Sequence, residues 1–163
     1  MERIAVYPGS FDPITNGHLE IIRRGINIFD KLIILIAVNP AKKTLFTVEE
    51  RIEMIKETLG DDPRISVDSW TGLIVDYLNQ AEVHFILRGL RAMSDFEYEF
   101  QMALMNRHLN RQVETTFLMT GYKWFFTSST IIKEVACYGG DVKGMVPDPV
   151  FKRLQEKFVK LKH

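Results

Sequence analysis

The chain has 163 residues, enough for one domain with a full core, and its 46% hydrophobic and 26% charged content is that of an ordinary globular chain. Its 21 basic and 21 acidic residues cancel, which argues against a general nucleic-acid binder, and the longest apolar run, Leu32 to Val38, is far too short to span a bilayer. The single cysteine, Cys137, excludes an internal disulfide, and Glu2 and Arg3 lead into a strand pattern instead of a signal peptide, so a cytoplasmic location without membrane partners is expected.

In chain order, the first apolar β-rich run covers Arg3–Tyr7 and leads into YPGSFDPITNGHLEII. Two prolines and two glycines there accompany Ser10, Asp12, Thr15, Asn16 and His18, more special backbone than a plain turn needs. The segment reads as a strand-to-helix turn, and the free N–H groups of a helix N-terminus attract anions. On one reading, Gly9 and Gly17 let the backbone approach a ligand while Ser10 and His18 donate to its phosphate. On the other, the segment is an Asn-Gly turn with a capping histidine. Spacing alone leaves both open, and the segment matches neither Walker A nor the dinucleotide fingerprint.

After His18 a helix carries Leu19, Ile22, Ile26 and Phe29 on one stripe. A second strand covers Lys31–Val38. Thr47, with Glu50 three residues on, makes a capping box for a helix that turns Ile52, Ile55 and Leu59 inward. Further strands are expected at Ile65–Trp70, Val83–Leu87 and Glu114–Met119, with a short helix over Leu73–Ala81 between the first two. Ser94 and Glu97 form another expected capping box, for a helix running to about Leu109. A fifth helix starts near Thr130 and the last at Asp148–Pro149, with Phe151, Leu154, Phe158 and Leu161 as its apolar stripe. This alternation predicts an α/β fold, a doubly wound, Rossmann-like five-stranded parallel sheet with helices on both faces, in a single domain over 1–163.

In such sheets ligands bind beyond the carboxyl ends of the strands. Lys42, Lys43, Arg88, Arg91 and Lys123 all follow strands, so a neutral chain gathers cations along one sheet edge, which suits a nucleotide or phosphoester. The segment ILRGLRAMSDFEYEF places Arg88 and Arg91 on a turn loosened by Gly89; arginine is the better fork for phosphate, and a solvated rim is the alternative. FFTSSTIIKEVA offers Ser128, Ser129 and Thr130 at a helix start. Lys133, read in that first turn, opposes the helix dipole unless an anion is near, and the bland reading is Ser/Thr capping beside a solvated lysine. The helix after Ser94 has two apolar stripes: Phe96, Phe100, Ala103 and Leu104, and nearly opposite, Tyr98, Met102, Met105 and Leu109. One is expected against its own core and the other against another subunit. His84 and His108 read as structural and Cys137 as a buried bystander, and no Cys/His cluster has zinc spacing.

Together these segments resemble the bacterial phosphopantetheine adenylyltransferase family, from about Ile4 to the final helix. Thr15-Asn16-Gly17-His18 stands where the nucleotidyltransferase superfamily carries (H/T)xGH. TSSTIIKE, from Thr127 to Glu134, resembles the second signature, ISSTxxR or in this family ISSSxxKE, with Thr127 for isoleucine and Thr130 for serine. YPGSFDPITNGH, RGLRAMSDFEYEFQMALMNRHL and GDV at 140–142 narrow the resemblance to the family. It implies that Ser10, Lys42, Ile74 and Arg88 hold 4′-phosphopantetheine. It also implies that Phe11, His18, Gly89, Leu90, Arg91, Glu99, Trp124, Phe125, Phe126, Thr127, Ser128, Ser129 and Thr130 surround ATP, with Ser10 shared.

The implied reaction joins ATP and 4′-phosphopantetheine into dephospho-coenzyme A and pyrophosphate. His18 is implied as transition-state stabiliser, with Lys42, Arg88 and Arg91 supplying positive charge. A phosphate is already a nucleophile, so no general base is required. Magnesium (Mg2+) is implied on the nucleotide phosphates, with no dedicated protein site. A homohexamer, a dimer of trimers, is implied as well, and coenzyme A is expected to fit the same groove as an inhibitor. Two rivals stand beside this reading: a related nucleotidyltransferase with another acceptor, and a non-catalytic nucleotide sensor, against which the intact His18, Lys42, Arg88 and Arg91 argue.

Overall fold

The alternation of side chains along each strand decides how the layers form. A computed structural model describes residues 2–161, with side chains through Val159. Five parallel strands, β1 (Ile4–Gly9), β2 (Lys31–Val38), β3 (Ile65–Thr71), β4 (Phe85–Leu90) and β5 (Glu114–Met119), stand in the order β3-β2-β1-β4-β5. Successive residues of a strand face opposite sides. Ala5, Tyr7, Leu32, Ile34 and Ile36 accordingly enter one buried cluster, while Val6, Leu35 and Ile86 enter another. The first face is covered by α1 (Asn16–Gly25), α2 (Val48–Leu59), α5 (Ser129–Cys137) and α6 (Asp148–Leu161), through residues such as Ile22, Met54, Ile132 and Leu154. On the second face α3 (Ile74–Ala81) inserts Tyr77 and Leu78, and α4 (Met93–Leu109) packs beside it. This is the doubly wound parallel sheet that the strand–helix alternation predicts.

Several expected boundaries move, each for a local reason. β4 starts at Phe85, not Val83, because Glu82 turns left-handed (φ 54) to end α3 and the Val83 N–H then bonds to the Leu78 carbonyl. Val83 is buried, but off the ladder. At the other end β4 runs on through Arg88, Gly89 and Leu90, paired with Phe117, Leu118 and Met119, where a loosened turn was expected. The expected Ser94–Glu97 capping box does not form: α4 already begins at Met93, with Ala92 as a cap that makes no side-chain bond. The Thr47–Glu50 box does form, at 3.2 and 2.7 Å.

In α6, Leu154 is buried and Phe151 and Phe158 are partly buried, while the side chain of Leu161, expected in the same stripe, lies outside the described residues. Cys137, expected to be buried, is exposed at the end of α5. Among the described residues no helix is long and apolar enough to cross a membrane.

Candidate active site

β1 pairs with β2 as far as Gly9, but with β4 only at Ala5–Phe85 and Val6–Ile86. Pro8 has no N–H to offer a ladder, and the strand order reverses between β1 and β4, so a crevice opens at their carboxyl ends. The Arg88 guanidinium spans it. One terminal nitrogen donates to the Pro8 carbonyl, while Nε and the other donate to the Glu99 carboxylate on α4, Nε at 2.7 Å. Burial works against the Arg88 charge, but the Glu99 pair more than offsets it, so the guanidinium pKa is raised.

Two hollows meet at this bridge. Ser10, Lys42, Ile74 and Arg88 line a cleft of about 710 Å³. Phe11, His18, Gly89, Arg91 and the run Thr127–Thr130 line a second of about 270 Å³. Gly9, Ser10, Arg88 and Glu99 belong to both walls. The expected acceptor-side residues therefore fall in one hollow and most of the expected nucleotide-side residues in the other.

His18 is the capping histidine of its motif, and its second ring nitrogen stays available to donate. Thr15 caps α1, its Oγ1 accepting the His18 N–H at 3.3 Å, and His18 Nδ1 accepts the Thr15 N–H at 3.0 Å. With Nδ1 used as an acceptor, the neutral ring carries its proton on Nε2, a donor. Burial, and then the charges of Arg91 and Arg88, push its pKa down to about 4. The ring is held against Phe11, centroids 5.0 Å apart, and Tyr7, 6.3 Å. Beneath it, burial pushes the Tyr7 hydroxyl pKa upward, so the hydroxyl keeps its proton.

Arg91 is likewise held by a carboxylate: Nε and Nη2 reach Asp95 at 3.1 Å each, and its backbone N–H donates to the same group. At the start of α5, Ser128 Oγ accepts the Ile131 N–H at 3.1 Å and Ser129 Oγ donates to the Pro13 carbonyl at 2.7 Å. Two helix starts, a neutral histidine donor and carboxylate-oriented arginines thus converge at a topological switch point, an arrangement chemically suited to a polyanion.

Residues 6–135 match the cytidylyltransferase-like family model. A phosphopantetheine adenylyltransferase of Syntrophus aciditrophicus is 66% identical over 158 residues, 97% of this chain and 96% of that protein. Proteins of the same name from Desulfosudis oleivorans and Desulfatibacillum aliphaticivorans are 59% and 58% identical, over 95% and 96% of this chain and 92% and 90% of theirs. The chain belongs to the phosphopantetheine adenylyltransferase family.

Not every residue singled out as a nucleotide neighbour in this family member reaches a hollow. Leu90, Trp124, Phe125 and Phe126 line neither. Leu90 ends β4 opposite Met119, and Phe126 is 80% exposed against Phe125. Trp124 sits 3.4 Å from where a Gly17 Cβ would stand, and Lys123 lies over the Trp124 ring instead of lining either hollow. The glycines make room for the chain itself: a Cβ on Gly9 would meet the Phe11 ring at 3.0 Å, and one on Gly89 would meet Ile21 Cγ1 at 2.9 Å.

Lys133 is neither solvated nor in the first turn; its Nζ lies 2.6 Å from Asp12 Oδ2. Asp12 and Arg51, both buried, were given no role from sequence; no spacing rule marks a carboxylate between Phe11 and Pro13 as an anchor. Among the described residues no three His, Cys, Asp or Glu side chains stand together as a metal-binding group.

Proposed function

We propose that this protein transfers the adenylyl group of ATP to 4′-phosphopantetheine, giving dephospho-coenzyme A and pyrophosphate. The observation that carries the reading is the shared wall at Arg88, where a hollow lined by Ser10, Lys42 and Ile74 meets one lined by His18, Arg91 and the hydroxyls of Thr127–Thr130. Two anions brought to either side of that wall face each other at close range. ATP belongs in the smaller hollow by this reading and the acceptor in the larger. The acceptor phosphate attacks the α-phosphorus in line, its oxygen forming the new P–O bond as the bond to pyrophosphate breaks. No base is needed, because the attacking oxygen is already ionised.

Catalysis is then positioning and charge stabilisation. His18 donates from Nε2 to the α-phosphate oxygens as charge builds there, and being neutral it does so without an ammonium-like hydration shell to shed. Lys42 and Arg88 hold the acceptor phosphate. Arg91 and the α5 start hold the nucleotide phosphates. Magnesium fits as a passenger on those phosphates: the carboxylates lining the smaller hollow, Asp95 and Glu99, are already engaged by Arg91 and Arg88. When bound it neutralises phosphate charge.

The same reading places the protein in the cytoplasm as a homohexamer, with coenzyme A as a competitor for the larger hollow. Purified protein incubated with ATP, magnesium and 4′-phosphopantetheine is expected to form dephospho-coenzyme A and pyrophosphate in equal amounts. ATP binding without turnover would instead support a sensor, and pyrophosphate release with a different acceptor a related transferase.

A further inference from the structure

The β1–α1 turn carries a carboxylate that touches neither hollow. Asp12 is 2% exposed. Its Oδ1 accepts the Phe46 N–H at 2.9 Å, and its Oδ2 accepts the Leu45 N–H at 3.0 Å and a proton of Lys133 Nζ at 2.6 Å. Leu45 and Phe46 close the loop after β2 that carries Lys42, on the wall of the larger hollow. Lys133 stands on α5, one turn beyond the Ser128–Thr130 hydroxyls on the wall of the smaller hollow. Two further bonds secure the same turn: Arg51 donates to the Ser10 carbonyl at 2.9 Å and Ser129 to the Pro13 carbonyl at 2.7 Å.

We propose that Asp12 is a positioning residue, whose buried carboxylate and its Lys133 partner set the distance between the acceptor wall and the nucleotide wall. The inference rests on the adenylyl-transfer reading above. It assigns Lys133, the basic residue of the second signature, to a clamp within the chain and not to a substrate phosphate: Lys133 lines neither hollow, and its side chain is 26% exposed with its ammonium against Asp12. Two substrates that must meet in line are sensitive to the spacing of the walls that hold them, and a misplacement near 1 Å costs about a hundredfold in rate. Binding of either substrate alone depends on one wall and is affected less.

The test is a double-mutant cycle on the whole protein, with kcat normalised to ATP-binding sites at a temperature where each variant is folded. Asp12→Asn and Lys133→Met are each expected to lower kcat by about ten- to a hundredfold. The ATP dissociation constant should move by less than about threefold, far less than kcat. Because the two side chains act as one unit, the double variant should be no worse than the poorer single one. Lys133→Arg, which keeps the charge, should recover kcat to within about threefold of wild type.

The proposal is overturned if Lys133→Met keeps wild-type kcat, or if losses multiply in the double variant. It is equally overturned if Lys133→Met weakens ATP as much as it lowers kcat while Asp12→Asn leaves ATP binding intact, for Lys133 is then a phosphate ligand. Should Asp12→Asn fail to fold, the half-buried Lys133 pair, Met against Arg, decides alone. Wild-type turnover is the control: an inactive wild type overturns the functional reading and this inference with it, whereas an active wild type beside unaffected variants overturns the inference only.

Discussion

At His18 the two ring nitrogens have separate duties, Nδ1 closing the α1 cap and Nε2 left to donate. A donor that meets charge developed in the transition state should affect turnover more than ground-state binding. His18→Ala is therefore expected to lower kcat by about a hundredfold or more while ATP affinity changes by less than about fivefold. Equal losses in the two, from steady-state rates and calorimetry, would reduce His18 to a ground-state contact. Its titration gives a second check. The folded-state pKa near 4 lies below the ordinary 6.5, so the unfolded chain takes up the proton first as pH falls. The stability associated with a neutral His18 is complete above pH 6.5 and is lost between 6.5 and 4, by at most about 3 kcal/mol. Urea unfolding of wild type and His18→Gln across that window should show the shallower slope in the variant; parallel slopes contradict the assigned shift.

Lys42 lines only the larger hollow and Arg91 only the smaller, while Arg88 stands on the wall between them. Lys42→Ala should raise KM for 4′-phosphopantetheine, and Arg91→Ala should raise KM for ATP. Arg88→Ala should harm acceptor use and also stability, because it strands the Glu99 carboxylate and the Pro8 carbonyl. One identical substrate defect in all three would contradict the division.

Among the elements, close contacts matter as much as caps. Gly89 sits between Arg88 and Arg91 on β4, and Ile21 of α1 fills the space a side chain would take. Gly89→Ala must displace the buried Ile21 side chain, and α1, which carries His18, is expected to shift with it. Overpacking of this kind costs about 1–3 kcal/mol. Thermal unfolding and rates should fall together in that variant. Thr47→Ala removes the side-chain cap of α2 and should cost about 1 kcal/mol in thermal unfolding; because Thr47 also lines the larger hollow, any change in rate should appear in KM for the acceptor and not in KM for ATP.

For the whole molecule, α4 is the element that a single copy leaves unexplained. One stripe was expected to reach its own core, yet none of its residues is buried: Phe100 is 46% exposed and Leu104 54%, beside Tyr98 at 64% and Met105 at 53%. Soluble proteins seldom leave so contiguous an apolar surface in water, and closed symmetric association covers it without open-ended growth. A charge at Met105 should break such a contact. Light scattering is expected to find a hexamer for wild type and a smaller species for a folded Met105→Glu. A monomeric wild type, or an unchanged variant, would rule out that contact.

Nearly continuous apolar strand runs, 3.6-period helices and the Thr47–Glu50 box are local patterns, so the sheet, its helical cover and the strand-end segments that carry Ser10, Lys42, His18 and Arg91 were legible in the sequence alone. The resemblance carried by Thr15–His18 and Thr127–Glu134 supplied the assignment of residues to two substrates. Contacts between distant segments were not legible, because no periodicity encodes which side chain meets which across the fold. Asp12 meeting Lys133, Glu99 engaging Arg88, the early start of α4 and the exposure of Cys137 all depend on where the packed sheet places each chain segment. The Lys133 charge shows the difference. Sequence could say only that a cation near a helix start wants an anion, while the tertiary structure supplied one from 121 positions away, in a site where burial makes the pairing obligatory.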